Sequence, residues 1–324
     1  SAGAQPMALK DRIGNIRLEI SFNGEIYNYL ALKKELISKG RRFDTNSDTE
    51  VLLNLYDEYG PDMLYRLRGM FAFVIWDVEK KGVFLARDPY GIKPLYYSDN
   101  GETLRLASQV KALLLGGAIS RAPNPAGHIG FFTLGYVPEP HTMYRDINSL
   151  SAGTYAWFDC TGKKEFKTYF CLRKEMIELE KQNLDVSSPH LRSALLESVE
   201  HHLVSDVPVG VFLSAGLDSS SILSYASEIS RDPLESITLN FDEFSGSHSN
   251  ESPLAKEVAG LFQSNHYAPT INADDFSNIR SNLIESMDQP SIDGVNTYFV
   301  AREASKRGLK VALSGVGGDE IFGG

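Results

Sequence analysis

The sequence predicts two domains of different class, a layered α+β domain followed by an α/β domain with a parallel sheet. Three observations carry that prediction. Short apolar stretches broken by turn residues crowd residues 16–110, while beyond residue 190 continuous apolar runs alternate with amphipathic stretches. Between the two patterns, residues 173–188 turn polar and charged and meet Pro189. The division reads as a first domain over residues 1–172, a linker over 173–189 and a second domain over 190–324. A length of 324 residues accommodates two such cores.

In the first domain, strands are predicted over residues 16–22, 70–77, 83–87, 95–97 and 104–108. Helical spacing of apolar residues appears over 29–39 and 49–59, the second introduced by the N-cap types Ser47 and Asp48. In the second domain, helices are expected over 191–203, 219–229, 253–262, 274–287 and 297–307. Strands are expected over 207–213, 236–241 and 309–313. Unbroken apolar strands alternating with helices indicate a parallel sheet covered on both faces, whose ligands sit at the carboxyl ends of strands. The loops after Leu213 and Leu313 are therefore where chemistry is expected.

Composition narrows the function. Hydrophobic residues make up 42% and charged residues 23%, the balance of a globular protein. A formal charge of -10 offers no broad basic field for a nucleic-acid backbone. No apolar run approaches the roughly 20 residues of a membrane span, and no signal peptide is recognisable, so no membrane role and a cytoplasmic location are expected. Cys160 and Cys171 form no CxxC pair and read as structural.

The run Leu213-Ser214-Ala215-Gly216-Leu217-Asp218-Ser219-Ser220 joins a strand to a helix through small residues. Such a loop lets a phosphate reach free N–H groups and the positive end of a helix dipole, with the serine hydroxyls as further donors. A Walker loop would carry lysine where Leu217-Asp218 stands, which argues against γ-phosphate transfer. A plain glycine turn would explain the same residues. The run resembles the Ser-Gly-Gly-x-Asp-Ser loop of the ATP pyrophosphatases, enzymes that cleave ATP between the α and β phosphates to adenylate an oxygen. Ala215 replaces the first glycine, a mild departure unless that position needs positive φ. A second loop, Ser314-Gly315-Val316-Gly317-Gly318-Asp319-Glu320, resembles the nucleotide-lining loop of glutamine-dependent asparagine synthetases. An acidic helix N-terminus is the bland alternative.

In the first domain, Ser21-Phe22-Asn23-Gly24-Glu25-Ile26-Tyr27-Asn28 and Arg87-Asp88-Pro89-Tyr90-Gly91-Ile92-Lys93-Pro94 resemble class II glutamine amidotransferases. Leu67-Arg68-Gly69-Met70-Phe71-Ala72-Phe73 and Gly3-Ala4-Gln5-Pro6-Met7 do so too. On composition alone Asn23-Gly24 would read as a hairpin turn, and Asp48 as a helix cap. The order of the two halves is that of the glutamine-hydrolysing asparagine synthetase family.

That resemblance implies an Ntn-type αββα glutaminase domain and an adenine-nucleotide α-hydrolase-like synthetase domain. It assigns Asn23 and Gly24 to the oxyanion hole, and Asn23, Gly24, Glu25 and Asp48 to glutamine. ATP falls to Leu213, Ser214, Ala215, Gly216, Leu217, Asp218, Ser219, Ser220, Leu239, Ser314, Gly315 and Val316. Carboxylate oxygens suit Mg²⁺, and Asp218 and Asp319 are the expected ligands, with Glu320 beside them. The implied substrates are glutamine, aspartate and ATP, and a homodimer is compatible with the resemblance. Val316 stands where the family often has a glutamate, which leaves another carboxylate acceptor, a sugar acid or peptide, as the alternative to aspartate. The family's amino-terminal cysteine has no counterpart in this sequence, Ser1 being the one local candidate, and both ends read as cut. The 324 residues alone are accordingly expected to hydrolyse no glutamine.

Overall fold

The computed structural model describes residues 3–182, 187–247 and 250–322. Ser1, Gly323 and Gly324 lie outside the described residues. The chain forms two compact units, the first built from residues up to 182 together with Asp288–Pro290, the second from the rest of the described residues.

The first unit contains strands β1 (Met7–Lys10), β2 (Ile16–Ile26), β3 (Gly69–Asp77), β4 (Gly82–Arg87), β5 (Tyr96–Asp99), β6 (Leu104–Ala107), β7 (Asn148–Ser149), β8 (Thr154–Asp159) and β9 (Lys164–Thr168). Its helices are α1 (Tyr29–Ser38), α2 (Asp48–Tyr59), α3 (Val110–Leu115), α4 (Pro125–Leu134) and α5 (Leu172–Lys181). An antiparallel sheet runs in the order β1-β2-β3-β4-β8-β9, and a smaller one in the order β6-β5-β7.

Three apolar layers hold these elements together. Leu32, Leu36, Val51 and Leu55 of α1 and α2 pack on Ile20, Phe73 and Phe84. Leu85 and Phe158 meet Leu95 and Leu150 between the sheets, and Val110 and Leu113 of α3 close on Ile147 and Tyr96. Helix, sheet, sheet, helix is the expected αββα order. Strand β4 is buried on both faces, which is why it reads as an apolar run although its sheet is antiparallel.

One expectation is corrected here. Strand β2 does not stop at Phe22; it continues to Ile26, pairing Asn23 with Ala72, Gly24 with Phe71 and Glu25 with Met70, so Asn-Gly makes no hairpin. The segment expected as a linker holds helix α5, which has no buried residue, and the start of the next helix; residues 183–186 lie outside the described residues.

The second unit contains α6 (Ser188–His202), β10 (Val209–Phe212), α7 (Leu217–Ile229), β11 (Glu235–Ile237), β12 (Asn240–Phe241), α8 (Ser252–Leu261), β13 (Asn265–Tyr267), β14 (Thr270–Ile271), α9 (Ala273–Ser286), α10 (Gly294–Lys306), β15 (Val311–Leu313) and α11 (Gly318–Phe322). A parallel sheet runs β13-β11-β10-β15, as the apolar runs required, and the strand expected over 236–241 splits into β11 and β12, the latter pairing with β14. Val199, Leu223 and Ala255 of α6, α7 and α8 pack with Val211 and Leu213, while Leu283 and Phe299 of α9 and α10 form a separate cluster with Ile271. Among the described residues, no helix is long and apolar enough to cross a membrane, and both cysteines are free.

Candidate functional site

In the first unit the site lies along one edge of β2. In an antiparallel pair, alternate residues turn their N–H groups away from the partner strand. The Tyr27 N–H donates to the Arg68 carbonyl, so Phe22, Gly24 and Ile26 are the residues whose N–H groups point the other way. Strand β1 pairs only as far as Ile20 and leaves this stretch open. The Phe22 N–H donates to Gln5 Oε1 at 2.6 Å and the Ile26 N–H to Asp48 Oδ2 at 3.1 Å. Between them stands Gly24, whose N–H is directed off the ladder with no strand among the described residues to receive it.

Gly24 is required by contact as well as by conformation. Its φ is 154°, and a Cβ there would lie 2.1 Å from the Met70 carbonyl oxygen. The facing residue, Phe71, is held by Asp88, a fully buried carboxylate that accepts N–H groups from Phe71, Tyr90, Ile92 and Lys93 at 2.9–3.2 Å. Neighbouring Arg87 donates to the carbonyls of Gly91, Lys93 and Leu150. The Arg-Asp-Pro-Tyr-Gly-Ile-Lys-Pro motif is thus a clamp behind the glycine strand.

Asn23 and Glu25 lie on the same face of β2, two residues apart. The Asn23 amide nitrogen donates to Ser108 Oγ at 3.0 Å. Burial and the Glu25 charge, with Asp88 adding to them, push the Tyr27 phenol up to about 12. Asp48 does not cap α2; Ser47 does, accepting from the Thr49 N–H, and Asp48 turns its carboxylate to β2 instead. Burial raises the Asp48 carboxyl above the usual carboxylate range, against the lowering effect of the Ile26 and Thr49 N–H groups. Sequence reasoning missed Gln5 and Ser108 as parts of this site, because each meets its partner only through the fold, and Asp88, because its hold on Phe71 is made across the sheet. Asp288 was missed for the same reason: its carboxylate receives the Val110 and Lys111 N–H groups at 2.8 and 2.9 Å, at the start of α3.

In the second unit, β10 runs into the loop that opens α7. The Ser214 N–H and hydroxyl both meet Ser219 Oγ, at 3.1 and 3.0 Å, closing the loop on itself. Gly216 precedes α7 with no side-chain cap, so the first N–H groups of the helix are not covered by one. Ser220 Oγ is buried without a partner among the described residues. Ala215 has φ 63°, so this position does need positive φ, and alanine there carries strain that glycine would avoid. The substitution is less mild than the sequence suggests.

The two loops meet at Asp218. A Cβ on Gly318 would fall 2.1 Å from Asp218 Oδ2, and one on Gly315 would fall 3.0 Å from Asp218 Cβ. Both glycines are needed for that close approach. Asp319 is exposed one residue beyond Gly318, in the first turn of α11. Val316 is 88% exposed, its N–H donating to Ser314 Oγ at 3.3 Å, and Leu217 is equally open at 88%. Leu213 is buried in the core with both main-chain groups engaged, by the Ile237 carbonyl and the Thr238 hydroxyl, whereas half-buried Leu239 packs beside Ile271. No group of three or more His, Cys, Asp or Glu side chains that could hold a metal occurs among the described residues. A Mg²⁺ ion here would have to take ligands from phosphate and water besides Asp218 and Asp319, which is its ordinary habit with nucleotides.

Both halves of the chain match known families. Residues 1–170 match the family described as glutamine amidotransferase domain, and residues 190–324 the family described as asparagine synthase. The chain is 37% identical over 324 residues to asparagine synthetase (glutamine-hydrolyzing) 1 of Bacillus subtilis, covering 99% of this chain and 49% of that protein. It is 33% identical over 339 residues to asparagine synthetase B (glutamine-hydrolyzing) of Escherichia coli, covering 100% of this chain and 54% of that protein. A putative asparagine synthetase (glutamine-hydrolyzing) 2 of Methanocaldococcus jannaschii is 33% identical over 330 residues, with 97% and 60% covered. The chain spans about half the length of the curated relatives it matches.

Proposed function

Because this chain belongs to the glutamine amidotransferase domain family, we propose that the protein is an ATP-dependent, glutamine-hydrolysing asparagine synthetase. Its first unit releases ammonia from glutamine, leaving glutamate. Its second unit joins the side-chain carboxylate of aspartate to the α-phosphate of ATP with loss of pyrophosphate, and ammonia then displaces AMP to give asparagine. The observation that carries this reading is the Gly24 N–H directed off the ladder beside the Asn23 amide, on a strand edge whose neighbouring N–H groups are already engaged.

An amide carbonyl under attack becomes an oxyanion, and donors fixed in advance stabilise it without reorganisation. The Gly24 N–H and the Asn23 amide are such donors. Glu25 and Asp48 hold the α-ammonium group of glutamine by charge. We assign the attacking nucleophile to no described residue.

In the second unit, the uncapped start of α7 and the hydroxyls of Ser214, Ser219 and Ser220 receive the phosphates of ATP, with Ala215, Gly216 and Leu217 giving close approach. Leu213, Leu239 and Ser314–Val316 line the nucleotide. Mg²⁺, when bound, offsets the charge that gathers on the departing pyrophosphate, and Asp218 and Asp319 would hold it.

The test is product analysis on the full-length protein given glutamine, aspartate, ATP and Mg²⁺. Asparagine, glutamate, AMP and pyrophosphate should all appear. Pyrophosphate release that ignores aspartate and requires a different carboxylate would overturn the assignment of the acceptor.

A further inference from the structure

Resting on the glutaminase reading above, we propose that Ser108 is the positioning residue of the Asn23 oxyanion donor. Ser108 lies between β6 and α3, 85 positions from Asn23, and both side chains are half-buried where they meet. The Asn23 amide nitrogen carries two hydrogens in one plane, and the 3.0 Å contact commits one of them to Ser108 Oγ. No other hydrogen bond of that nitrogen occurs among the described residues, so the second hydrogen is available to a ligand.

The need for such a partner is physical. Rotation about the last side-chain torsion of asparagine is soft and roughly two-fold, so an unsupported amide exchanges its NH₂ for its carbonyl oxygen. A carbonyl turned toward a developing oxyanion would repel it. By accepting from Nδ2, Ser108 holds the amide in the orientation that leaves its second N–H for a ligand, while touching none of the groups assigned to the substrate's ammonium. Ser108 is in turn held from behind, since the N–H groups of Val110 and Lys111, the first residues of α3, are fixed by the Asp288 carboxylate.

The role predicts a defect in turnover and not in binding. In the full-length protein, Ser108→Ala should lower kcat for glutamine hydrolysis roughly 5- to 20-fold, the worth of one well-placed hydrogen bond, and leave KM for glutamine within about twofold. Ser108→Thr keeps the hydroxyl and should return kcat to within about threefold of the parent. Asparagine synthesis from free ammonia, measured on the same preparations, should be unchanged, and an unaltered denaturant unfolding midpoint of the first unit certifies that the variants fold. In an Asn23→Ala background, Ser108→Ala should cost nothing further, because its only route to the oxyanion is gone. A parental kcat in Ser108→Ala, or the same loss in the Asn23→Ala background, would overturn the role. If Asn23→Ala alone left hydrolysis intact, the glutaminase site itself would be misplaced, and Ser108 would fall with it.

Discussion

The two candidate sites are built on opposite plans. In the first unit the donors belong to a strand inside a sheet, and two carboxylates engage that region: Asp88, fully buried behind Phe71, and Asp48, half-buried on Ile26. In the second unit the functional groups belong to loops at strand ends, and Ser214, Gly216, Leu217 and Val316 are exposed. A strand edge suits an oxyanion, which needs donors held to a fraction of an ångström, whereas a phosphate chain can be gathered by a loop of small residues. On the proposed reading, rigidity is placed where charge would develop, and openness where a large substrate would enter.

One substitution tried in both places sharpens that contrast. Gly24→Ala puts a methyl group against the Met70 carbonyl and should separate β2 from β3 locally. It should abolish glutamine hydrolysis and lower the unfolding free energy of the first unit by about 2–3 kcal/mol. Gly216→Ala meets only the flexible Ser214 hydroxyl at 3.3 Å, with φ at -66°, and should cost under about 1 kcal/mol. Denaturant unfolding of both variants settles the pair; equal losses would break the contrast.

Similar in size is the effect of Asp88→Ala, which leaves four N–H groups without their acceptor, that of Phe71 among them. A loss of about 3 kcal/mol is expected, confined to the first unit and readable by amide exchange along β3 and β4. Protection lost equally across β10 and β11 would contradict it.

A smaller effect concerns pH. Because burial raises the Asp48 carboxyl, its charge destabilises the folded unit once pH exceeds the raised value, and that penalty vanishes below the ordinary carboxylate value. Asp48→Asn should therefore stabilise slightly at neutral pH. In the parent, KM for glutamine should climb as pH falls through the raised value, before ordinary carboxylates titrate, as Asp48 takes a proton and ceases to attract ammonium. The Asn variant should show a weaker but flatter KM; an unchanged profile would remove Asp48 from the site. Smallest of all, Ala215→Gly should shift stability by no more than about 1 kcal/mol, relief of the strain at φ 63° offsetting the added freedom of the unfolded chain.

What could be read beforehand follows from locality. The parallel sheet was legible because strands such as β10 are continuous apolar runs, and the clefts at their ends follow from that topology. Helix α2 was legible from its cap and its spacing. Helix α3, with six residues, is too short to show a period, and α4 carries apolar residues on several faces, with Ile129 and Phe132 exposed, so neither announced itself. Asn23 and Gly24 were found only through resemblance, since local rules favoured a hairpin; the pairing with Ala72 and Phe71, far along the chain, is what draws the strand straight. Gln5, Ser108 and Asp288 act through partners 17, 85 and 178 residues away, beyond any local signal.

The central claim, that each unit performs one half of a single reaction, is tested most directly by crossing two variants with two nitrogen sources in the full-length protein. Asn23→Ala should lose roughly 10²–10³ in glutamine-dependent asparagine synthesis yet keep synthesis from free ammonia. Asp218→Asn should lose synthesis from either source, together with aspartate-dependent ATP–pyrophosphate exchange, yet still release glutamate from glutamine. Normal exchange in Asp218→Asn, or loss of ammonia-dependent synthesis in a folded Asn23→Ala, would contradict the division of labour.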